Sequence, residues 1–240
     1  MFKDFDEKYE AKTLDDIVFQ SDIGRETIED CVSGICGFPA SGVNGILLWG
    51  TNGTGKTALA KILPDLIEMA RIGRESMDVS FYRISQGGEN GANVIENIKN
   101  QAVLIPFGKY RYFIMDEVDN LLPASMDSLK VAMNIGAMHC VFILTTNRLP
   151  KIERGIVDRC IKVQFNAANE TMWLPLFRKI LSDYDVTGVT DENAMAVIKL
   201  CNGSARQILN AARTLVVKHY RKHGKPLTLA AEKKSFQNDF

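Results

Sequence analysis

The sequence predicts an α/β protein: a parallel sheet covered by helices on both faces, followed by a small domain of helices alone. Three observations lead there. Short, near-continuous apolar runs alternate with stretches at helical spacing, which is the mark of strands buried on both faces. A glycine-rich turn, Gly50–Thr57, joins one apolar run to an Ala/Leu-rich helix. From about residue 167 onward only helical periodicity remains.

Residues 1–20 are polar and charged, with Tyr9, Leu14, Ile17, Val18 and Phe19 as anchors. Ile28, Cys31, Val32 and Ile35 then space an amphipathic helix from Arg25 to about Cys36. Gly45–Trp49 is the strand before the glycine-rich turn. Pro64 falls inside the following helix and should kink or reset it. Val79–Ile84 reads as a strand. Ser85–Gly91 is a loop, because three glycines and an asparagine do not hold regular structure. Val94, Ile95, Ile98, Ala102 and Val103 return to helical spacing. Tyr112–Glu117 is an apolar run ending in two acids. Leu129, Met133 and Ile135 sit in a short helix, Cys140–Asn147 is a further apolar run, and Ile161–Phe165 closes this half. A boundary near residue 167 divides a domain 1–166 from a helical domain 167–240. In the latter the faces are Trp173, Leu176, Phe177, Ile180 and Leu181; then Ala194, Met195, Val197, Ile198 and Leu200; then Ala205, Ile208, Leu209, Ala212, Leu215 and Val216, with Ser204 as N-cap.

At 240 residues, 46% of them hydrophobic, the chain can bury a sizeable core. Its 29 basic and 29 acidic residues cancel, so any nucleic-acid binding must come from a local patch. The five cysteines show neither C-x-x-C nor zinc spacing and read as small buried hydrophobes in a reducing compartment. The first eight residues are too charged for a signal peptide, and no apolar run reaches membrane-spanning length. The expectation is a cytoplasmic protein without membrane contact.

Gly50, Gly55, Lys56 and Thr57 fit the P-loop pattern G-x-x-x-x-G-K-[ST]. Glycines let backbone N–H groups turn toward phosphate oxygens, and the helix that follows aims its positive end at the same place. Gly50, Thr51, Asn52, Gly53, Thr54, Gly55, Lys56, Thr57 and Ala58 form the nucleotide-binding set. Lys56 would reach the β- and γ-phosphates, and the Thr57 hydroxyl would hold Mg²⁺. Asp116 and Glu117 end an apolar strand about 60 residues on, where parallel sheets bind ligands. One carboxylate there can hold Mg²⁺, and the other can take a proton from an attacking water. Asn147 ends another strand, and its neutral amide can orient that water. Arg159 lies just before the last strand. An arginine that stabilises charge on a γ-phosphate can be supplied in trans. Arg206 opens the last helix; by itself it reads as a surface residue, and Arg148, beside Asn147, says less.

In order, the P-loop, Asp116-Glu117, Asn147, Asp158-Arg159-Cys160 and Gly203-Ser204-Ala205-Arg206 make the chain resemble an AAA+ ATPase, with Walker A, Walker B, sensor 1, arginine finger and sensor 2. More closely it resembles the clamp-loader group, the small-subunit type of replication factor C and its phage counterparts. Glu7-Lys8-Tyr9 with Lys12–Val18 is similar to that group's opening motif, Asp158-Arg159-Cys160 to its Ser-Arg-Cys box, and Gly91–Ile98 to its DNA-tracking helix. The resemblance implies a P-loop NTPase three-layer sheet with a helical lid, ATP and Mg²⁺ as cofactors, and hydrolysis in an oligomer of like or unlike subunits. It implies Asp116 supporting Mg²⁺, Glu117 activating water, Asn147 positioning it, Arg206 reading the γ-phosphate, and Arg159 reaching a neighbour's site. Tyr9 and Val18 would lie near adenine, and Lys99 and Lys130 near DNA. The partners it implies are DNA and a sliding clamp or a helicase.

The chain departs from the group at Glu10-Ala11, where Arg-Pro is usual; at Asp158, which could pair with Arg159; at Met126, in place of a coupling glutamine; and at Glu96, where arginine is common. The group's collar domain is expected to be absent. A helicase loader, initiator or mobile-element regulator of the same superfamily also fits, as does an ATP-dependent switch with little turnover. A small-molecule kinase fits less well, for want of an acceptor site. Arg213, Lys218, Arg221, Lys222 and Lys225, with His219 and His223, cap and solubilise the last helix or meet phosphate or an acidic partner.

Overall fold

A computed structural model describes residues 3–85 and 91–223. In chain order the described elements are α1 (Lys3–Lys8), α2 (Asp22–Ser33), β1 (Gly45–Trp49), α3 (Lys56–Ile72), β2 (Val79–Arg83), α4 (Ala92–Ala102), β3 (Arg111–Asp116), α5 (Pro123–Ile135), β4 (Cys140–Thr146), α6 (Arg154–Val157), β5 (Cys160–Gln164), α7 (Glu170–Asp183), α8 (Asp191–Leu200) and α9 (Ala205–His223). The described residues divide into two compact units, those within 11–166 and those of 3–10 with 167–223.

In the first unit five parallel strands lie in the order β2-β3-β4-β1-β5. Side chains alternate across the pleat. Leu47, Phe113, Met115, Phe142 and Leu144 meet Ile95, Ile98, Leu129, Met133 and Ile156 from α4, α5 and α6 on one face. Ile46, Leu48, Tyr112, Ile114, Val141 and Ile143 meet Ile28, Cys31, Leu59, Leu63 and Ile67 from α2 and α3 on the other. On β1, β3 and β4 both faces are buried, so these strands read as unbroken apolar runs, while the edge strands β2 and β5 are partly exposed; the unit has the three layers expected of it.

The helix α3 runs unbroken through Pro64, against the expected kink or reset. An interior proline costs about 3 kcal/mol. Leu59, Leu63 and Ile67, all fully buried, each contribute about 1.5–3 kcal/mol against the sheet, which outweighs the one missing backbone bond. The second strand stops at Arg83, and the expected loop 85–91 falls largely outside the described residues, as do Lys225 and all that follows His223.

The second unit is helical in its described residues. Trp173, Phe177, Ile180 and Leu181 of α7, Ala194 and Ile198 of α8, and Ile208, Ala212 and Val216 of α9 are its buried positions. The Gln207 N–H donates to Ser204 Oγ at 3.4 Å, so Ser204 caps α9. The first ten residues group with these helices and not with the sheet, a correction to the domain taken as 1–166. Phe5 is buried and stacks on Tyr184 at 5.9 Å, the Tyr9 hydroxyl donates to Asp183 Oδ2 at 2.9 Å, and Lys8 pairs with the same carboxylate at 2.9 Å.

Of the cysteines, Cys31, Cys140, Cys160 and Cys201 are buried and Cys36 is exposed, all as free thiols. Among the described residues no helix is long and apolar enough to cross a membrane.

Candidate nucleotide-binding site

The C-terminal ends of β1, β3, β4 and β5 come together around one cavity of about 800 Å³. Gly50, Thr51 and Asn52 line it from the β1–α3 loop, Glu117, Asp119 and Asn120 from the turn after β3, Asn147 and Arg148 from the segment after β4, and Asn166 from beyond β5.

The loop is fixed from beneath. Gly50 has φ 138, and a Cβ there would stand 2.3 Å from the Phe165 carbonyl oxygen. No side chain can be added without moving backbone, so the residue must be glycine. The Thr54 hydroxyl, buried, donates to the Thr51 and Phe165 carbonyls at 2.9 and 3.1 Å, and the Asn166 N–H donates to Gln20 Oε1 at 2.9 Å. Gly55 is the N-cap of α3 at φ 104, with no side chain closing the helix end. The first N–H groups of a 17-residue helix therefore face the loop.

Lys56 is 6% exposed and donates to the Gly50 and Thr51 carbonyls at 3.0 and 2.6 Å. Burial pushes its ammonium down from 10.5 to about 8, against the pull of Asp116 and Asp119. Thr57 Oγ1 donates to Asp116 Oδ1 at 2.7 Å, and Thr145 Oγ1 donates to the same oxygen at 2.7 Å. Among the described residues no group of three or more His, Cys, Asp or Glu could hold a metal by itself. A hydroxyl and a carboxylate in contact nevertheless suit Mg²⁺, which takes few protein oxygens and completes its shell with phosphates and water.

The turn after Asp116 aims Glu117. Its backbone lies at φ 60, ψ 45, a left-handed conformation that costs a non-glycine residue on the order of 1 kcal/mol. The Glu117 N–H donates to Thr145 Oγ1 at 3.0 Å, which holds the turn. Glu117 and Asn147 are both exposed and both line the cavity.

Three residues that sequence reasoning passed over or set aside complete this wall. Asp119 is buried, accepts from Thr146 Oγ1 at 2.9 Å, and pairs with Arg148 Nε at 2.8 Å. Burial pushes its carboxyl up, but the bonds from Arg148 and Thr146 outweigh that and hold it below the usual range. Asn120 bonds to Glu117 and to Arg148. The signal for Asp119 was its place three residues after Asp116, and for Arg148 its place at the end of an apolar run.

Arg159 is elsewhere. Its carbonyl accepts the N–H groups of Asn44 and Gly45, at the start of β1. The phosphate loop begins at the other end of that strand, five residues or about 17 Å away. Arg159 thus lies at the opposite edge of the sheet from the cavity of its own chain. The expected pairing with Asp158 is not formed: Arg159 donates to Asn134 Oδ1 at 2.8 Å and to the Gly155 carbonyl at 2.7 Å, while Asp158 lies 3.8 Å from Arg154. One helical turn separates Arg154 from Asp158, whereas adjacent residues 158 and 159 point apart.

Val18 is half-buried in the unit that holds the loop. Tyr9 belongs to the helical unit, where Asp183 takes its hydroxyl, and Arg206 is exposed on the first turn of α9 in that unit. Lys99 is half-buried on α4. Lys130 is engaged with Asp127 at 3.1 Å and Glu153 at 3.4 Å.

A family model described as "ATPase family associated with various cellular activities (AAA)" matches residues 46–167. The chain is similar to replication factor C small subunit 2 of Pyrobaculum islandicum, 27% identical over 209 residues that make up 85% of this chain and 61% of the relative. It is similar also to the replication factor C small subunit of Methanocella arvoryzae, 28% identical over 212 residues, 87% of this chain and 62% of the relative. The chain therefore spans about three fifths of the length of these relatives. Among solved structures, the RuvB Holliday junction branch migration motor of Thermotoga maritima shares the fold at a TM-score of 0.65, with 15% identity over 89% of this chain and 72% of that one. The segment matched by the family model is half of the chain and holds the phosphate loop, both acids that end β3 and the polar end of β4, so the chain belongs to the AAA family of ATPases.

Proposed function

We propose that this chain hydrolyses ATP in an oligomer of AAA subunits and acts on DNA as a clamp-loader-like subunit. The observation that carries the reading is the separation within one sheet: Lys56, Thr57, Asp116, Glu117 and Asn147 stand at the C-terminal strand ends, and Arg159 at the N-terminal ends. A complete hydrolytic site then needs the arginine of a neighbouring copy or a related subunit.

In this reading the α3 N-terminus and Lys56 bind the phosphates. Mg²⁺, held by Thr57 and Asp116, would offset charge on the phosphate oxygens. Glu117 takes a proton from the attacking water, and Asn147 orients that water by hydrogen bonding without adding charge. Val18, in the unit that holds the loop, bounds the base. The relatives' name, replication factor C small subunit, supports a role in DNA replication. Between α4 and β3 the run Val103, Leu104, Ile105 and Phe107 is exposed, Ile105 to 90% and Phe107 to 77%. Such a run suits contact with a protein partner, a sliding clamp in the first instance. Lys99 is the stronger candidate for DNA phosphate, because two carboxylates already hold Lys130.

The test is ATP turnover of the wild-type chain and of Glu117→Gln, with and without primed DNA. Primed DNA raises wild-type turnover, and Glu117→Gln loses roughly 100-fold or more while still binding ATP. Wild-type turnover indifferent to every DNA tried removes the loader reading.

A further inference from the structure

Asn120, in the turn after β3, uses its whole amide. Its Nδ2 donates to Glu117 Oε2 at 3.3 Å and to the Ile84 carbonyl at 3.1 Å, and its Oδ1 accepts from Arg148 Nη2 at 3.4 Å. The orientation of that amide is determined by its partners. Carbonyl and carboxylate only accept and a guanidinium only donates, so the reverse orientation would break all three bonds. Arg148 is fixed in turn, because its Nε binds the buried Asp119 at 2.8 Å and its backbone N–H donates to Thr146 Oγ1 at 2.9 Å. The guanidinium fork thus spans two partners, a carboxylate that anchors it and an amide that it steers.

The consequence falls on Glu117, a carboxylate on an exposed turn with rotamers to choose from. Its backbone is fastened by Thr145. Its side chain accepts from Asn120, which is itself tied to the ends of β2 and β4. We infer that Asn120 is a positioning residue for Glu117 and that Arg148 holds Asn120 in place. This rests on the reading of Glu117 as the base that activates water.

Asn120→Ala removes the amide. Arg148→Lys keeps a cation for Asp119 but has no second nitrogen in a fixed fork to reach Asn120. The half-exposed Arg148 makes this the milder change to the fold. Steady-state ATP turnover and ATP affinity are measured for both variants, for the double variant and for Glu117→Gln, on the full chain in its oligomer. Asn120→Ala should lower kcat roughly tenfold with KM and ATP affinity unchanged, Arg148→Lys should lower it in the same sense, and the double variant should be no slower than Asn120→Ala, since both act through one bond chain. If Glu117→Gln abolishes turnover while Asn120→Ala leaves kcat unchanged, the positioning role is overturned. So is it if the two losses multiply in the double variant, or if affinity falls in step with kcat, as a purely structural role would give. Should Asn120→Ala fail to fold, an unchanged kcat in Arg148→Lys overturns it as well. Full turnover in Glu117→Gln instead refutes the hydrolytic reading beneath it.

Discussion

Lys56 carries its charge at a cost. With its side chain enclosed by the loop it serves, its ammonium titrates near 8, not 10.5. The sign follows from the charged form being the disfavoured one. Between about pH 8 and 10.5 the unfolded chain holds more protons at this residue than the folded chain, so folding gains stability as pH rises through that window. Nucleotide phosphates reverse the balance, because an anion beside the ammonium favours its charge. ATP binding at about pH 9 is therefore expected to take up close to one proton, and affinity should weaken as pH climbs above 8. Calorimetry in buffers of different ionisation enthalpy reads the uptake directly, and Lys56→Met should abolish it. The glycine-rich turn that encloses Lys56 was legible in the sequence, since the P-loop pattern is local and its spacing is its chemistry. The parts played by Asp119, Asn120 and Arg148 were not. They depend on β3 lying beside β4, a pairing of residues 29 apart in the chain that no spacing rule displays.

At the scale of elements, the loop between β1 and α3 is shaped by the end of β5. Gly50 packs on the backbone of Phe165, and Thr54 hangs from the same carbonyl. Gly50→Ala should force the loop away from β5, with the strain of a non-glycine residue at φ 138 costing on the order of 1–3 kcal/mol. The expected outcome is a lower thermal midpoint together with at least a tenfold loss of ATP affinity, measured by equilibrium binding of a fluorescent ATP analogue; unchanged affinity would mean that the loop tolerates displacement. The central strands β1, β3 and β4 were legible because burial on both faces makes them continuous apolar runs. The course of α3 was not. A local rule about Pro64 predicted a kink, and tertiary burial of Leu59, Leu63 and Ile67 decided otherwise. The group to which the first ten residues belong was hidden for a similar reason: Tyr9 and Phe5 find their partners at Asp183 and Tyr184, about 175 residues further on.

At the scale of the whole molecule, the sheet divides the proposed site. Glu117, Asn147 and the glycine-rich loop stand at the C-terminal strand ends, and Arg159 at the N-terminal ends. Motif order in the sequence offered the candidate parts; only the register of β1 with β5 places them at opposite strand ends. A shared site has a consequence that no single-chain site has, namely that two inactive variants can complement each other. Glu117→Gln lacks the base but keeps the arginine, and Arg159→Ala lacks the arginine but keeps the base. Each alone should bind ATP and fail to hydrolyse it. The most direct measurement is ATP turnover of an equimolar mixture of these two variants, compared with either alone. Turnover well above both parents is the expected result, because some interfaces then join an intact Glu117 to a neighbour's intact Arg159. A mixture that stays as inactive as its parents, although the subunits co-assemble, would contradict a site shared between subunits.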